Sequence, residues 1–192
     1  MCAAFHDIRT VDIASISKDE IFAIDTNVLL WTHYSKASDP NLNRHPYQVI
    51  EYPNFVAKLL SNKNRLVTTT LNISELISIV EKNEYKIYKA AHSCGAMKFK
   101  DFRKIVPARS AYKNEINTMM AEIKAAYNDQ IEIINVTKEK LEEFNKNIDK
   151  TQCDVFDYLV IEYLKGIGVA NYISDDKDFM NVENINLFST YE

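Results

Sequence analysis

Acidic residues recur in this sequence where the chain leaves an apolar run. Asp25 follows "IFAI" in "IFAIDTNVLLW", and Glu75 falls in "TTTLNISEL". Asp154 and Asp157 lie in "CDVFDYLV", and Asp176 and Asp178 in "ISDDKDF". Two carboxylates about 5 Å apart repel by roughly 3 kcal/mol at an effective dielectric near 20. Four gathered together are poor structure unless cations fill the space between them. Hard oxygen ligands suit Mg²⁺ or Mn²⁺, one ion or two, which keep waters and contact phosphate. Such an ion makes its water a better nucleophile and stabilises charge on both oxygens of an in-line displacement.

Each acid also has a structural explanation of its own. Asp25 could cap a following helix. Glu75 could close a capping box with Asn72, and Asp154 could do the same with Thr151. Asp157 would complement a helix dipole, and Asp176 and Asp178 would suit a turn. Capping does not explain why acids follow several different strands.

The elements that would position these acids are visible as alternating short β-rich runs and longer helical patterns. Strands are expected at 21–25, 66–69, 131–134, 170–174 and 185–188. Helices are expected at about 26–34, 52–61, 71–91, 110–127, 137–147 and 154–165, the last ending at Lys165 with Gly166 behind it. Ile116, Met119, Met120, Ile123 and Tyr127 repeat at helical spacing, a core-facing stripe. Strands separated by helices imply crossovers, hence an α/β fold with a mostly parallel sheet and helices on both faces. In such a sheet, ligands bind beyond the carboxyl ends of the strands where the strand order reverses. Asp25 ends the first strand, and Asp176 and Asp178 follow the fourth. Glu75 lies in the first turn of the helix after the second. Asp154 and Asp157, spaced i and i+3, share a helix face.

The sequence has no visible linker or repeat, so a single domain over 1–192 is expected. Residues 1–20 look irregular or peripheral, 35–46 form the clearest loop, and about 84–130 hold a helical elaboration. Three glycines leave no room for a dinucleotide turn or a P-loop, and four scattered histidines offer no zinc spacing. Three cysteines without CxxC spacing argue for a reducing compartment. With neither a secretory signal nor an apolar run near the roughly 20 residues that span a bilayer, the expectation is a cytoplasmic protein without membrane contact.

A net charge of −4 does not advertise nucleic-acid binding, yet one stretch is locally basic. "KFKDFRKIVPARSAYK" carries Lys98, Lys100, Arg103, Lys104, Arg109 and Lys113 against Asp101 alone, with Phe99, Phe102 and Tyr112 interleaved. Cations there would neutralise phosphates and exposed aromatics would stack on unpaired bases. The plain alternative is a solvated helix face whose aromatics are core.

The wording and order of four pieces resemble the PIN-domain family of nucleases: "IFAIDTNVLL", the acid in "TTLNISELI", "DVFDYLVIEYL" and "YISDDKDF". The resemblance spans residues 21 to 188, with long unmatched stretches at 35–65 and 84–130. It implies a three-layer α/β/α fold whose five strands run in the order 3-2-1-4-5. It implies an acidic site of Asp25, Glu75, Asp157 and Asp176, with Asp178 as an accessory. Asn27 and Ser174 match polar positions that brace the acids or hold a water, while Asp154 falls where the family is less uniform. In this assignment Asp25, Asp157 and Asp176 hold Mg²⁺ or Mn²⁺ directly or through water, and Glu75 orients or deprotonates the attacking water. The activity implied is metal-dependent endonucleolytic cleavage of RNA. A toxin role with a cognate antitoxin is implied for small bacterial members, and a homodimer stays open. The alternatives are a metal-dependent phosphatase, against which the missing DxD after the first strand counts, and a catalytically inactive RNA- or protein-binding module.

Overall fold

Successive side chains of a strand point to opposite faces, so a strand buried on both sides carries apolar residues at adjacent positions, one for each face. In the computed structural model, which describes residues 2–42, 44–125, 131–136 and 153–190, the central strands behave in this way. Phe22 and Ile24 of β2 (Ile21–Ile24) join one core cluster, while Ala23 between them joins another. Leu66 and Val67 of β3 (Arg65–Thr69) divide in the same manner. So do Tyr172 and Ile173 of β5 (Asn171–Ile173), and Leu187 and Phe188 of β6 (Asn186–Ser189).

The first cluster is completed by four helices: α1 (Thr26–His33), α2 (Glu51–Ser61), α3 (Thr70–Ala91) and α5 (Val106–Ala125). A short α4 (Phe99–Phe102) links the last two. The second cluster is covered by α6 (Val155–Gly166) and the segment that carries Phe179, Val182 and Ile185. The result is three layers around a wholly parallel sheet.

Six strands make that sheet, in the order β1-β6-β5-β2-β3-β4, rather than five in the order 3-2-1-4-5. The added strand is β1 (Ala4–Asp7), inside the lead segment expected to be irregular. It lies on the edge beside β6, with Ala4 opposite Asn186 and Asp7 opposite Ser189. Its "AFHD" shows no alternation, because an edge strand of four half-exposed residues needs only main-chain pairing and one ring contact. His6 supplies the contact by stacking on Phe188 at 4.6 Å between centroids. The other five strands, with β4 at Ile131–Ile134, keep their expected relative order.

Several boundaries differ from expectation for local reasons. The capping box at the start of α3 is built by Thr69 and Asn72, not by Asn72 and Glu75. Glu75 is thereby released to the second turn, where its carboxylate is free of backbone duty. The stop of α6 is Gly168 rather than Gly166. Its φ of +89° lets the N–H groups of Gly168 and Val169 return to the carbonyls of Lys165 and Leu164. Helix α5 begins at Val106, earlier than expected, with Pro107 in its first turn, where a missing N–H costs nothing. Pro40–Leu42 make a 3-10 turn inside the expected loop. The stripe on α5 is core, with Met119 and Ile123 buried and Ile116 and Met120 packed against them. Tyr127, Thr151 and the helix expected at 137–147 lie outside the described residues. None of the three cysteines is in a disulfide. Among the described residues no helix is long and apolar enough to cross a membrane.

Candidate active site

The strand order reverses beside β2. From it the chain moves outward to β3 and β4 on one side, and β5 and β6 fill the other. A crevice must therefore open beyond the carboxyl ends of β2 and β5. Asp25 is the first residue past β2, and its N–H still donates to the Ile173 carbonyl of β5 at 3.1 Å. It is the N-cap of α1, with Oδ1 accepting from the Thr26 N–H at 2.6 Å. Its other oxygen, Oδ2, accepts from the Ser174 hydroxyl at 2.9 Å, and that hydroxyl accepts from the Asp176 N–H at 3.0 Å. Ser174 is fully buried, so it holds the two strand ends in fixed relation. Capping and membership of an acidic group are not alternatives for Asp25: one carboxylate does both.

Glu75 reaches the same place through a relay. Asn72, fixed by the capping box, donates from Nδ2 to Thr26 Oγ1 at 3.0 Å, and Thr26 Oγ1 donates to Glu75 Oε2 at 2.7 Å. Thr26 and Asn72 are buried, and sequence reasoning assigned neither to the site. Their signal was present: Thr26 lies between Asp25 and Asn27, and Asn72 stands one helical turn before Glu75.

Asp157 occupies the first turn of α6, and Asp154 is that helix's N-cap, accepting from the N–H groups of Phe156 and Asp157 at 2.8 and 2.9 Å. Burial pushes the Asp157 carboxyl up to about 8, and the negative charges of Asp25, Asp154, Asp176 and Glu75 add to the shift. Burial likewise raises Asp25 to about 7, against the lowering effect of its bonds from Ser174 and Thr26 and with the help of Glu75 and Asp176. Asp176 accepts from the Asp178 N–H at 2.9 Å and caps the 3-10 turn Lys177–Asn181. Asp178 lies on that turn, and its carbonyl accepts from Cys153 Sγ at 3.5 Å. Asp25, Glu75, Asp154, Asp157 and Asp176 thus act on one another from four separate segments, and Asp178 is not among the charges that shift Asp25 or Asp157 most.

No three acids, histidines or cysteines among the described residues form a ready metal cluster. The donor chemistry nonetheless fits a hard cation. It is oxygen only, and Asp25 and Asp157 are both held toward protonation by burial first and by neighbouring acids second, a condition that positive charge opposes. Mg²⁺ needs only one or two carboxylates and fills its remaining positions with water and phosphate oxygen.

Asn27 and Asp176 line a cleft of about 510 Å³ between α1, α3, the α1–α2 connection and the end of β5. Asp175, also on its wall, was not singled out from the sequence although it stands beside Asp176. Its Oδ1 accepts from the hydroxyls of Tyr52 and Thr190 at 2.7 and 3.3 Å. Its Oδ2 accepts from Gln48 Nε2 and the Tyr47 hydroxyl at 2.8 and 3.1 Å. Four donors make it a fastener for α2 and the chain before it.

The basic stretch is built differently. Arg103 donates from Nε and one terminal nitrogen to the nearly buried Glu81, at 2.9 and 2.5 Å, and Arg109 bonds the same carboxylate. The two arginines hold Glu81 below the usual carboxylate range, the Arg103 bond being the largest influence. Arg103 also lies over the Phe99 ring at 4.3 Å and Arg109 over Tyr112 at 5.0 Å. Phe102 is a core residue, 1% exposed, so it is not a stacking platform. Lys104 pairs with Asp101 at 2.9 Å. Lys98, Lys100 and Lys113 are exposed.

No family model matches this sequence, and no curated protein matches it. Among solved structures, VapBC2 from Rickettsia felis, bound to a DNA fragment from its promoter, is similar in backbone course. The identity is 14%, the alignment covers 87% of this chain and 96% of that one, and the TM-score is 0.49. At that score and identity the likeness carries no statement about activity.

Proposed function

We propose that this chain is a divalent-metal-dependent endoribonuclease that hydrolyses phosphodiester bonds of single-stranded RNA. The observation that supports it most directly is electrostatic. Burial and mutual repulsion among Asp25, Glu75, Asp157 and Asp176 push two of the carboxyls up to about 7 and about 8. A structural cap has no use for that arrangement, whereas a hard cation does. Asp25, Asp157 and Asp176 are the residues that would hold Mg²⁺ or Mn²⁺, directly or through water. When bound, the ion supplies charge stabilisation to the attacking and leaving oxygens.

The remaining steps belong to the chain's own side chains. Ser174 fixes one oxygen of Asp25, and the main-chain N–H of Thr26 fixes the other. The Thr26 hydroxyl holds Glu75 Oε2, which leaves Oε1 of this exposed side chain to accept a proton from a water positioned against the phosphorus. Asn27, on the cleft wall, would orient that water or the substrate. A phosphatase reading is less well supported, because Asp25 is followed by Thr26 and Asn27 and lacks a second acid two positions on.

The test is cleavage of a single-stranded RNA, with p-nitrophenyl phosphate in parallel, at controlled Mn²⁺ by wild type, Asp25→Asn and Asp176→Asn. Metal-dependent RNA cleavage lost in both variants is expected. Turnover of RNA at the wild-type rate by either folded variant overturns the assignment. A toxin role with a protein antitoxin is proposed on the resemblance alone. Induced expression should arrest growth of a bacterial host, and Asp25→Asn should not.

A further inference from the structure

The cleft beside the acids holds donors that the catalytic assignment does not use. Asn83 and Trp31, 4% and 6% exposed, are among its lining residues, and neither the buried Asn83 Nδ2 nor the buried Trp31 Nε1 meets an acceptor among the described residues. Arg44 lines it too, with a buried Nε that also meets none. Lys86 stands on the same wall, one helical turn from Asn83 on α3. A buried donor without an acceptor forfeits its hydration and regains nothing, so three around one opening mark a place where an acceptor belongs. Two carboxylates also line the cleft, and neither is that acceptor. Asp175 is saturated by four donors, and Asp176 belongs to the acidic group.

The geometry points to a phosphate-binding subsite formed by Arg44, Asn83, Trp31 and Lys86, which holds a backbone phosphate of the RNA adjacent to the one cleaved. This rests on the nuclease reading for its location in the substrate, and on the orphaned donors for its existence. Arginine stays charged even where burial opposes it and offers five donors in a planar fork, the shape that grips a phosphate. Because Asp176 and Asn27 share the cleft wall, a strand seated on Arg44 lies beside Asp176, the member of the acidic group that borders the cleft. Its task is to fix the register of the strand, a uniform binding contribution rather than a chemical one.

Two measurements separate this proposal from the nuclease reading. Thermal melts of metal-free protein in EDTA with inorganic phosphate need no RNA and no cleavage. Phosphate should raise the melting temperature of wild type more than that of Arg44→Gln or Lys86→Gln. Lys86 is exposed, so its replacement leaves the fold intact, and Arg44→Lys serves as a charge-keeping control. Equal protection of wild type and both Gln variants overturns the subsite. Protection by acetate equal to that by phosphate overturns it as well, in favour of a carboxylate-bearing protein segment.

In the second arm, a 2′-O-methyl oligoribonucleotide carries a single neutral methylphosphonate walked along its length. One linkage beside the cleavage position should weaken binding by about tenfold or more in wild type and have little effect in Arg44→Gln. The same interference profile in both proteins overturns the assignment. Phosphate protection that depends on Arg44, in a protein that cleaves no RNA, would keep the subsite and remove the nuclease.

Discussion

The acidic end of the sheet and the basic stretch at 98–113 carry comparable densities of charge, yet the fold treats them in opposite ways. At the sheet end, acids from four segments act on one another, and among the described residues none of the groups that shift Asp25 or Asp157 most is a cation. On α4 and α5 the two arginines close on a single carboxylate from α3, and two rings stack beneath them. Charge balanced within the protein fastens elements together. Charge left unbalanced and half-buried waits for something from solution.

The largest effect is expected at Asp25 and Asp176. Replacing either by Asn should lower RNA cleavage at saturating metal by on the order of 10³-fold or more, since several kcal/mol of charge stabilisation is lost. The protein should stay folded, because Asn keeps an oxygen for the cap contact. Circular dichroism beside the cleavage assay checks both halves of the statement.

Next in size is the response to metal and pH. Asp25 and Asp157 are raised in the folded protein from the ordinary value of 3.8 to about 7 and about 8. Between those limits the folded state binds more protons than the unfolded one, so metal-free stability should fall as pH rises from about 4 to about 8. Stability from these groups is complete below the unfolded pKa and is lost as pH passes through the folded values. Mn²⁺ at 100-fold over its dissociation constant should return about 2.7 kcal/mol. The gap between melts in Mn²⁺ and in EDTA should therefore widen with pH. Identical melts across roughly pH 5 to 8.5, the window in which these carboxyls ionise, would mean that the acids bind no cation.

The basic region should answer to stability rather than to ligand. Glu81→Gln should cost about 1–3 kcal/mol in urea unfolding, because two guanidinium groups lose their charged acceptor. Lys104→Gln, which breaks an exposed pair with Asp101, should stay within about 0.5 kcal/mol. Similar effects for the two would erase the distinction between an internal fastener and a surface pair.

How far these regions were legible in the sequence follows from what each depends on. Five strands and the acids at their ends were visible, because burial on both faces enforces runs such as "IFAI" and ligand sites in parallel sheets lie at strand ends. Strand β1 was not visible, since "AFHD" at an edge needs no pattern beyond main-chain pairing with β6. The relay from Asn72 through Thr26 to Glu75 was hidden for another reason. Three short-range motifs had to be placed in space before their hydroxyl and amide could meet. Glu81 stands 22 residues before Arg103, and only the packing of α3 against α4 and α5 shows that the basic run is already neutralised. The Arg44 cleft was hidden in the same way, as its donors come from α1, α3 and the connection after α1, none of which carries a run of basic residues.

The smallest effect expected is also the one that decides where RNA lies. Arg103 and Arg109 are committed to Glu81 and Lys104 to Asp101, so the cations of this stretch left to phosphate are Lys98, Lys100 and Lys113. Each is a point charge on a long exposed stem, screened over about 8 Å at physiological salt. Replacing all three by Gln should leave turnover at saturating RNA unchanged, because no group at the acids is touched. On a single strand, each phosphate no longer neutralised makes the slope of log affinity against log salt shallower by about 0.7. If the strand is registered by Arg44 and Lys86, the triple variant should change that slope by no more than about one such step, and Arg44→Gln by at least as much alone. A change of about 2 in the triple variant, near the full value for three phosphates, would put the RNA across α4 and α5. Binding measured at several salt concentrations separates the two paths. It does so without any cleavage, since Asp25→Asn can stand in for wild type throughout.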